Sequence, residues 1–333
     1  MHLARFARRR YTEGRTPLQP LPRLTTALGG PEIWIKRDDL TGLGGGGNKT
    51  RKLEFLVADA LEQGADVLIT TGAPQSNHCR LTLAAAAKEG LRCRLLIEER
   101  VPGTYDERDV GNALLFQLMG VDEVEVVPAG SDLMAGMQRM AEAAEAQGRK
   151  PYLIPGGGSN ALGSLGYVAC AEETLQQAFE AGVAFDHVVC ASGSGGTHAG
   201  LLAGLHGTNA NVPLTGISVR AERGPQEEKI WRLAQAACDL AGVGVDVPEE
   251  AVVVRDDQVG PGYSLPTEAM RDAVQLFART EAILLDPVYT GKTAAGLIAM
   301  VMDGSLGDDE RVLFVHTGGS PALHAYPEQV RSS

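Results

Sequence analysis

The sequence is short of several things, and each shortage closes off a class of protein. No run reaches the about 18 apolar residues that a membrane-spanning helix needs, and aromatic residues make up only 5% of the chain. Positive charge is in deficit: 30 Lys and Arg against 42 Asp and Glu give a formal charge of −12. That balance weighs against a nucleic-acid-binding surface and against adhesion to anionic membrane, and leaves room only for a local basic pocket. Cysteines are few, at positions 79, 93, 170, 190 and 238, odd in number and without a Cys-x-x-Cys pair. Free thiols in a reducing compartment follow, so a cytoplasmic location is expected. The seven histidines, His187 and His206 among them, form no His-Glu-x-x-His or comparable set, so no catalytic metal is expected. The basic start, Met1 to Arg10, has too short an apolar stretch for a secretory signal and reads as a solvated segment.

Nucleotide motifs are missing too. In the glycine run before Lys49, Asn48 separates Gly47 from the lysine, and before Gly291-Lys292-Thr293 the required upstream glycine is Asp286. No Gly-x-Gly-x-x-Gly with a following acidic residue occurs. Kinases, nucleotide hydrolases and nicotinamide dehydrogenases therefore drop away.

What is present is an ordinary globular composition, 44% apolar and 22% charged, with 41 glycines in 333 residues. Such a length accommodates two domains and buries roughly 75% of the unfolded surface, so no disulfide or metal staple is needed. After a mostly irregular 1–24, strands and helices alternate. Strands are expected over 32–36, 67–71, 94–98, 123–127, 152–155, 187–190, 214–219, 283–285 and 312–316. Helices are expected over 51–62, 77–88, 112–119, 133–147, 162–181, 198–205, 225–240, 269–278 and 291–302. In the first helix Leu53, Leu56, Val57, Ala60 and Leu61 fall on one face. Short apolar strands between helices imply a mostly parallel sheet covered on both faces. The acidic, proline-interrupted stretch 243–257 reads as a surface excursion.

Ligands of such folds sit outside the carboxyl ends of the strands. Glycine, hydroxyl and amide residues gather there, at 72–77, 156–160, 192–197 and 317–319. Lys49 opens a helix just past a glycine loop, where the helix N-terminus and neighbouring cations disfavour an ammonium. A neutral amine is what Schiff-base chemistry requires; a surface helix cap is the other reading of the same residue. Ser192, Gly193, Ser194, Gly195, Gly196 and Thr197 lie between a strand and a helix and could cradle a phosphate. A reactive lysine and a phosphate cradle without a nucleotide motif point to pyridoxal phosphate.

The chain resembles the family that joins 1-aminocyclopropane-1-carboxylate deaminase, D-cysteine desulfhydrase and L-cysteate sulfo-lyase, of the tryptophan-synthase-β-like fold. The resemblance rests on Gly46-Gly47-Asn48-Lys49-Thr50-Arg51-Lys52-Leu53-Glu54, Gln75-Ser76-Asn77-His78, Gly157-Gly158-Ser159-Asn160, Asp286-Pro287-Val288-Tyr289-Thr290-Gly291-Lys292 and His316-Thr317-Gly318-Gly319. It implies fold type II with two open, twisted α/β lobes: a smaller one over 50–160 and a larger, cofactor-binding one over 1–49 and 161–333. It implies pyridoxal 5′-phosphate, a small amino-acid substrate and a homodimer. Lys49 would be the Schiff-base lysine, Asn77 would bond the cofactor 3′-oxygen, and Ser76 would stand beside the substrate carboxylate. Tyr263 and Tyr289 would be the two active-site tyrosines, though either alone also reads as an ordinary rim or core residue. Ser192 to Thr197 would grip the phosphate, and Asn77, His78 and the tyrosines would line the substrate.

The deaminase members carry glutamate directly after the second tyrosine, paired with the cofactor's pyridine nitrogen. Thr290 cannot hold that proton by charge, and Thr317 would add a second neutral contact. The resemblance thus implies β-elimination of D-cysteine to pyruvate, hydrogen sulfide and ammonia in preference to ring opening. L-Cysteate elimination, releasing sulfite, is the alternative, and the N-terminal residues look most like the cysteate lyases. That alternative needs cationic or N–H donors around a sulfonate. Arg220, His78, His316 and Gly44-Gly45 are candidates, although Arg220 reads more readily as a surface or salt-bridged residue. A non-catalytic amino-acid-binding protein that kept the fold is the reading of another class.

Overall fold

The structure is a computed structural model that describes residues 1–106 and 110–331. Two sheets organise it. The smaller contains β3 (Val67–Gly72), β4 (Arg92–Glu99), β5 (Glu123–Pro128) and β6 (Pro151–Ile154), in the order β5-β4-β3-β6. All its pairs are parallel. The larger contains β1 (Leu18–Pro20), β2 (Glu32–Arg37), β7 (His187–Ser192), β8 (Leu214–Ser218), β9 (Val253–Arg255) and β10 (Arg311–His316), ordered β1-β2-β10-β7-β8-β9. Only β1 pairs antiparallel.

The two-residue period of the strands explains why both sheets are covered on both faces. In the small sheet Leu68, Leu95 and Ile97 pack with Leu53, Leu56 and Leu81 from the helices Lys49–Glu62 and Asn77–Glu89. Their neighbours Val67, Ile69 and Leu96 turn the other way, onto Met137, Met140 and Ala144 of the helix Leu133–Ala146. The large sheet divides likewise. Val188, Cys190, Leu313 and Val315 face the helices Ala161–Ala181, Gly196–Gly207 and Arg223–Ala241, while Val189, Ile217, Val312 and Phe314 face the helices Glu268–Glu281 and Thr290–Met302. The helix Ala161–Ala181 crosses Lys49–Glu62 at Gly166, where a Cβ would stand 2.3 Å from the Arg51 carbonyl oxygen. Only glycine permits that approach.

The parallel α/β architecture agrees with the sequence reading, and four segments depart from it. The stretch 283–285 is not a strand: Ile283 and Leu285 are buried and Leu284 is exposed, which mimics strand alternation. Both flanks of β10 are already taken by β2 and β7, so no ladder is open to it. Within 1–24, β1 and the start of the helix Pro22–Leu28 are ordered elements; three-residue edge strands carrying a proline leave little periodic signal. The expected surface excursion 243–257 contains β9, which closes the sheet beside β8. At the chain start, Met1, Leu3 and Phe6 pack against the core rather than into solvent. No helix among the described residues is long and apolar enough to cross a membrane.

Candidate active site

The carboxyl ends of β3, β6, β7, β8 and β10 converge on one cavity of about 580 Å³ between the two sheets. Lys49 enters it as the first residue of its helix. The preceding loop is bent by glycine: Gly46 has φ +76°, and a Cβ there would lie 1.9 Å from the Asp39 carbonyl oxygen. Arg80, buried in the adjacent helix, donates to the carbonyls of Gly44 and Gly46 and so anchors the loop. The Lys49 amine donates to Asn48 Oδ1 at 3.0 Å. Burial pushes it down to about 8, against the pull of the Asp286 carboxylate. Burial, rather than the neighbouring cations of the sequence reading, is therefore the main cause of its lowered basicity.

Ser76 caps the helix Asn77–Glu89, its Oγ accepting from the Cys79 N–H at 3.1 Å, and lines the cavity at the positive end of that helix. Asn77 also lines it, fixed between Asn112 Nδ2 (2.8 Å to Oδ1) and Asp286 Oδ2 (3.4 Å from Nδ2). His78 stands in the wall with Nε2 engaged by Thr70 Oγ1 at 2.8 Å, and burial holds its imidazole far below the usual histidine range. Opposite, Tyr263 and Tyr289 share a hydrogen bond of 2.6 Å between hydroxyls, their rings edge to face. The Lys49 amine lies 6.0 Å from the Tyr289 ring centroid.

The turn after β7 places Gly193, Ser194, Gly195 and Thr197 on the cavity wall. Gly195 has φ +103°, and the helix beginning at Gly196 points its N-terminus inward. The Gly196 N–H donates to Ser159 Oγ at 3.1 Å, Ser159 donates to Ser194 Oγ at 2.8 Å, and Asn48 Nδ2 donates to Thr197 Oγ1 at 2.8 Å. Behind this turn lies Lys52, 1% exposed, donating to the Gly157 carbonyl and Ser159 Oγ. Burial and the neighbouring Lys49 drive its amine well below the ordinary lysine value. No carboxylate pairs with it among the described residues.

Several expectations need correction. The Ser192 hydroxyl is fully buried behind the cradle, bonded to His198 Nδ1 and Gln226 Nε2, so it does not line the cavity. Thr290 is also outside the lining: its Oγ1 accepts from the Asp286 N–H at 2.8 Å. Of the two threonines, only Thr317 reaches the cavity. His316 is buried against the Leu284 carbonyl, and Gly44 and Gly45 lie outside the wall. Arg220 does reach the cavity.

Other residues of the wall went unassigned in the sequence reading. Asp286 accepts from the Tyr289 and Thr290 N–H groups through Oδ1, and burial raises its carboxyl to about 6. Arg100 and Lys229, with Arg220, form a cationic end, and the neutral amide of Gln226 lines the wall beside them. Arg100 stands two residues past the expected strand 94–98, so the strand-end rule could have found it.

This chemistry fits pyridoxal 5′-phosphate. Lys52 is a buried amine that lacks a countercharge, beside a glycine turn, inward N–H groups and two serines; a phosphate dianion supplies that charge. A Cβ on Gly196 would come within 2.8 Å of both the Lys52 amine and Ser159 Oγ, so the cradle requires glycine.

Known proteins match the chain over nearly its whole length. The family model described as pyridoxal-phosphate dependent enzyme matches residues 9–318. D-Cysteine desulfhydrases of Salmonella typhimurium and Salmonella typhi are each 49% identical over 331 residues, covering 99% of both chains. A crystal structure of an ACC deaminase homologue superposes with a TM-score of 0.89 at 40% identity, covering 98% of this chain and 96% of that one. An O-ureido-L-serine synthase shares the fold at TM-score 0.68 and 20% identity. With a lowered lysine amine, a glycine cradle backed by a second lysine and a match across nearly its full length, the chain belongs to the pyridoxal-phosphate-dependent enzymes of the ACC deaminase and D-cysteine desulfhydrase family.

Proposed function

We propose that this protein is a carbon–sulfur lyase of the D-cysteine desulfhydrase type, converting D-cysteine to pyruvate, hydrogen sulfide and ammonia. The observation that carries this reading is the opposition, in one cavity, of an amine of lowered basicity at Lys49 and a hydrogen-bonded phenol pair at Tyr263 and Tyr289. β-Elimination needs both, a base for the α-proton and an acid for the sulfur. The 49% identity to D-cysteine desulfhydrases supports the substrate.

Bound pyridoxal phosphate supplies the electron sink that makes the substrate α-proton removable. Lys52, Ser159, Ser194 and the N–H groups that open the helix Gly196–Gly207 hold the phosphate. Asn77 and Thr317, which both line the cavity, would supply neutral polar contacts to the cofactor ring. Ser76 and the positive end of its helix bind the substrate carboxylate. Lys49 takes the α-proton at Nζ, and the tyrosine pair delivers a proton to sulfur. Thr290 contributes indirectly, by holding the Asp286 turn, and the position carries no carboxylate to charge the ring. The same reading includes the homodimer, on the family resemblance alone, and the cytoplasmic location, on the free cysteines.

A second reading, L-cysteate sulfo-lyase, is favoured by one observation: Arg100, Arg220 and Lys229 line the same cavity and could receive a sulfonate. Release of 2-oxo acid from D-cysteine, L-cysteine, L-cysteate and 1-aminocyclopropane-1-carboxylate, assayed in parallel, separates the readings. D-Cysteine is expected to turn over fastest. Product from L-cysteate alone would replace the substrate, and faster ring opening of the cyclopropane would replace the reaction.

A further inference from the structure

Deepening the D-cysteine reading, on which the inference rests, the geometry points to Arg100 as a positioning residue for the proton donor: oriented by Glu98 against the Tyr263 ring, it sets the Tyr263–Tyr289 pair to protonate the departing sulfur. Arg100 follows β4 on the small sheet, whereas both tyrosines belong to the large-sheet half, so the contact crosses the cleft. The guanidinium carbon lies 4.4 Å from the Tyr263 ring centroid, within cation–π range. Its Nε donates to Glu98 Oε2 at 2.6 Å, and Glu98 Oε1 accepts from the Gly130 N–H at 3.2 Å. A chain of contacts thus runs from Glu98 through Arg100 and Tyr263 to Tyr289.

Among the described residues the charges facing the phenols are few. Arg100 and Arg220 favour the phenolate of Tyr263, and Arg100 favours that of Tyr289. Asp286 opposes both, and Lys49 stands over the Tyr289 ring. Burial, the largest influence, raises both phenols. A phenol so raised is a poor acid toward a thiolate, and proton transfer improves as donor and acceptor approach in strength. Arg100 is the cation that works against this on both rings.

The step balances without a further reactant. The electron pair left at Cα when its proton is removed becomes the second bond of Cα=Cβ, and the Cβ–S pair stays on sulfur. A substrate thiolate would leave as the sulfide dianion, so it takes a proton from the tyrosine pair and departs as hydrosulfide. The phenolate left beside Arg100 regains its proton from water.

The test uses the holoenzyme carrying tyrosine labelled with 13C at Cζ, its two signals assigned with Tyr263→Phe and Tyr289→Phe. In Arg100→Gln the pair is expected to titrate roughly 1 pH unit higher. In Glu98→Gln, which removes the carboxylate that offsets the guanidinium, it is expected to titrate lower. The kcat/KM for D-cysteine should fall about tenfold in Arg100→Gln with its alkaline limb moved up. For 3-chloro-D-alanine, whose chloride leaves without a proton, it should change less than about twofold. Arg100→Lys should restore most of the titration and the rate. Equal losses on both substrates, or tyrosine signals that do not move, would overturn the assignment. Should Arg100→Gln not fold, the downward shift in Glu98→Gln beside a nearly unaltered titration in Arg100→Lys decides it, and an unmoved pair in Glu98→Gln overturns it. Absence of sulfide release by the unaltered enzyme would remove the D-cysteine reading instead, while the tyrosine titration still answers for Arg100.

Discussion

One helix, Lys49–Glu62, presents buried cations in two directions, and the two sides behave in opposite ways. Toward the back, Arg51 donates from Nε and Nη2 to Asp38 at 2.7 and 2.9 Å and from Nη1 and Nη2 to Glu173 at 3.0 and 2.9 Å. Lys36 meets the same Glu173, and the Tyr167 hydroxyl donates to Asp38 at 2.7 Å. Burial alone would raise the Asp38 carboxyl, yet Arg51, Lys36 and Tyr167 hold it at about 2. Toward the front, Lys52 and Asp286 are as enclosed as Arg51, Lys49 is half-buried at the cavity wall, and none of the three forms an ion pair among the described residues. There burial wins: Lys49 falls to about 8, burial and Lys49 drive Lys52 well below the ordinary lysine value, and Asp286 rises to about 6. Pairing, rather than burial, separates scaffold from site. Groups whose charge the protein leaves uncompensated mark where a ligand brings its own.

The contrast is broken most sharply by exchanging what each side loses. Lys49→Ala is expected to lower kcat by more than about 10³-fold, because in the proposed reaction the amine would both carry the cofactor and move the α-proton. Its folding stability should change by less than about 1 kcal/mol, since no buried partner is orphaned. Steady-state kinetics together with urea denaturation measure both. Arg51→Met, two residues on, is expected to behave the other way. Leaving Asp38 and part of Glu173 unpaired should cost about 3–5 kcal/mol of stability, with activity per folded molecule within about tenfold of the unaltered enzyme. If Arg51→Met proved silent in denaturation but fatal to turnover, the division of this helix into scaffold and site would be wrong.

The front of the helix was more legible in the sequence than the back. Lys49 is found by its place between a glycine loop and a helix start, and Ser76, Asn77 and the turn of Ser194 and Thr197 by one rule, that glycine, hydroxyl and amide residues clustered after parallel strands face the ligand. The rule gives position along the chain but not side-chain direction. For that reason it included Ser192, whose hydroxyl turns inward to His198, just as the resemblance singled out Thr290, whose hydroxyl turns to the Asp286 backbone. It missed Arg100 because the strand runs one residue further than its apolar stretch. The ion-pair network was invisible, since Asp38, Arg51 and Glu173 are far apart in sequence and meet only when the helix Ala161–Ala181 packs across Lys49–Glu62 at Gly166. The misread strand at 283–285 has the same origin: alternation was present, but the sheet offered it no neighbour. Local pattern reveals what a segment prefers, while pairing of distant charges is decided by packing.

Acid sharpens the comparison further, because the two aspartates must pull stability in opposite directions. Asp38 has a folded-state value near 2 against about 3.9 unfolded. Its stabilisation, roughly 2–3 kcal/mol, is fully present above about pH 4 and is lost as pH falls toward 2. Asp286 is raised to about 6. Its ionised form therefore destabilises the fold at neutral pH by up to about 3 kcal/mol, and that cost disappears as pH falls from about 6 to 4. Asp286→Asn retains an oxygen for the Tyr289 and Thr290 N–H groups without the charge. It should be more stable than the unaltered protein at pH 7, with the gap closing by pH 4, while both still lose stability below pH 4 through Asp38. Urea denaturation at half-unit steps from pH 7 to 3 follows both limbs. A constant gap across this range would mean that Asp286 is not raised, and that the cavity compensates its charge as fully as Arg51 compensates that of Asp38.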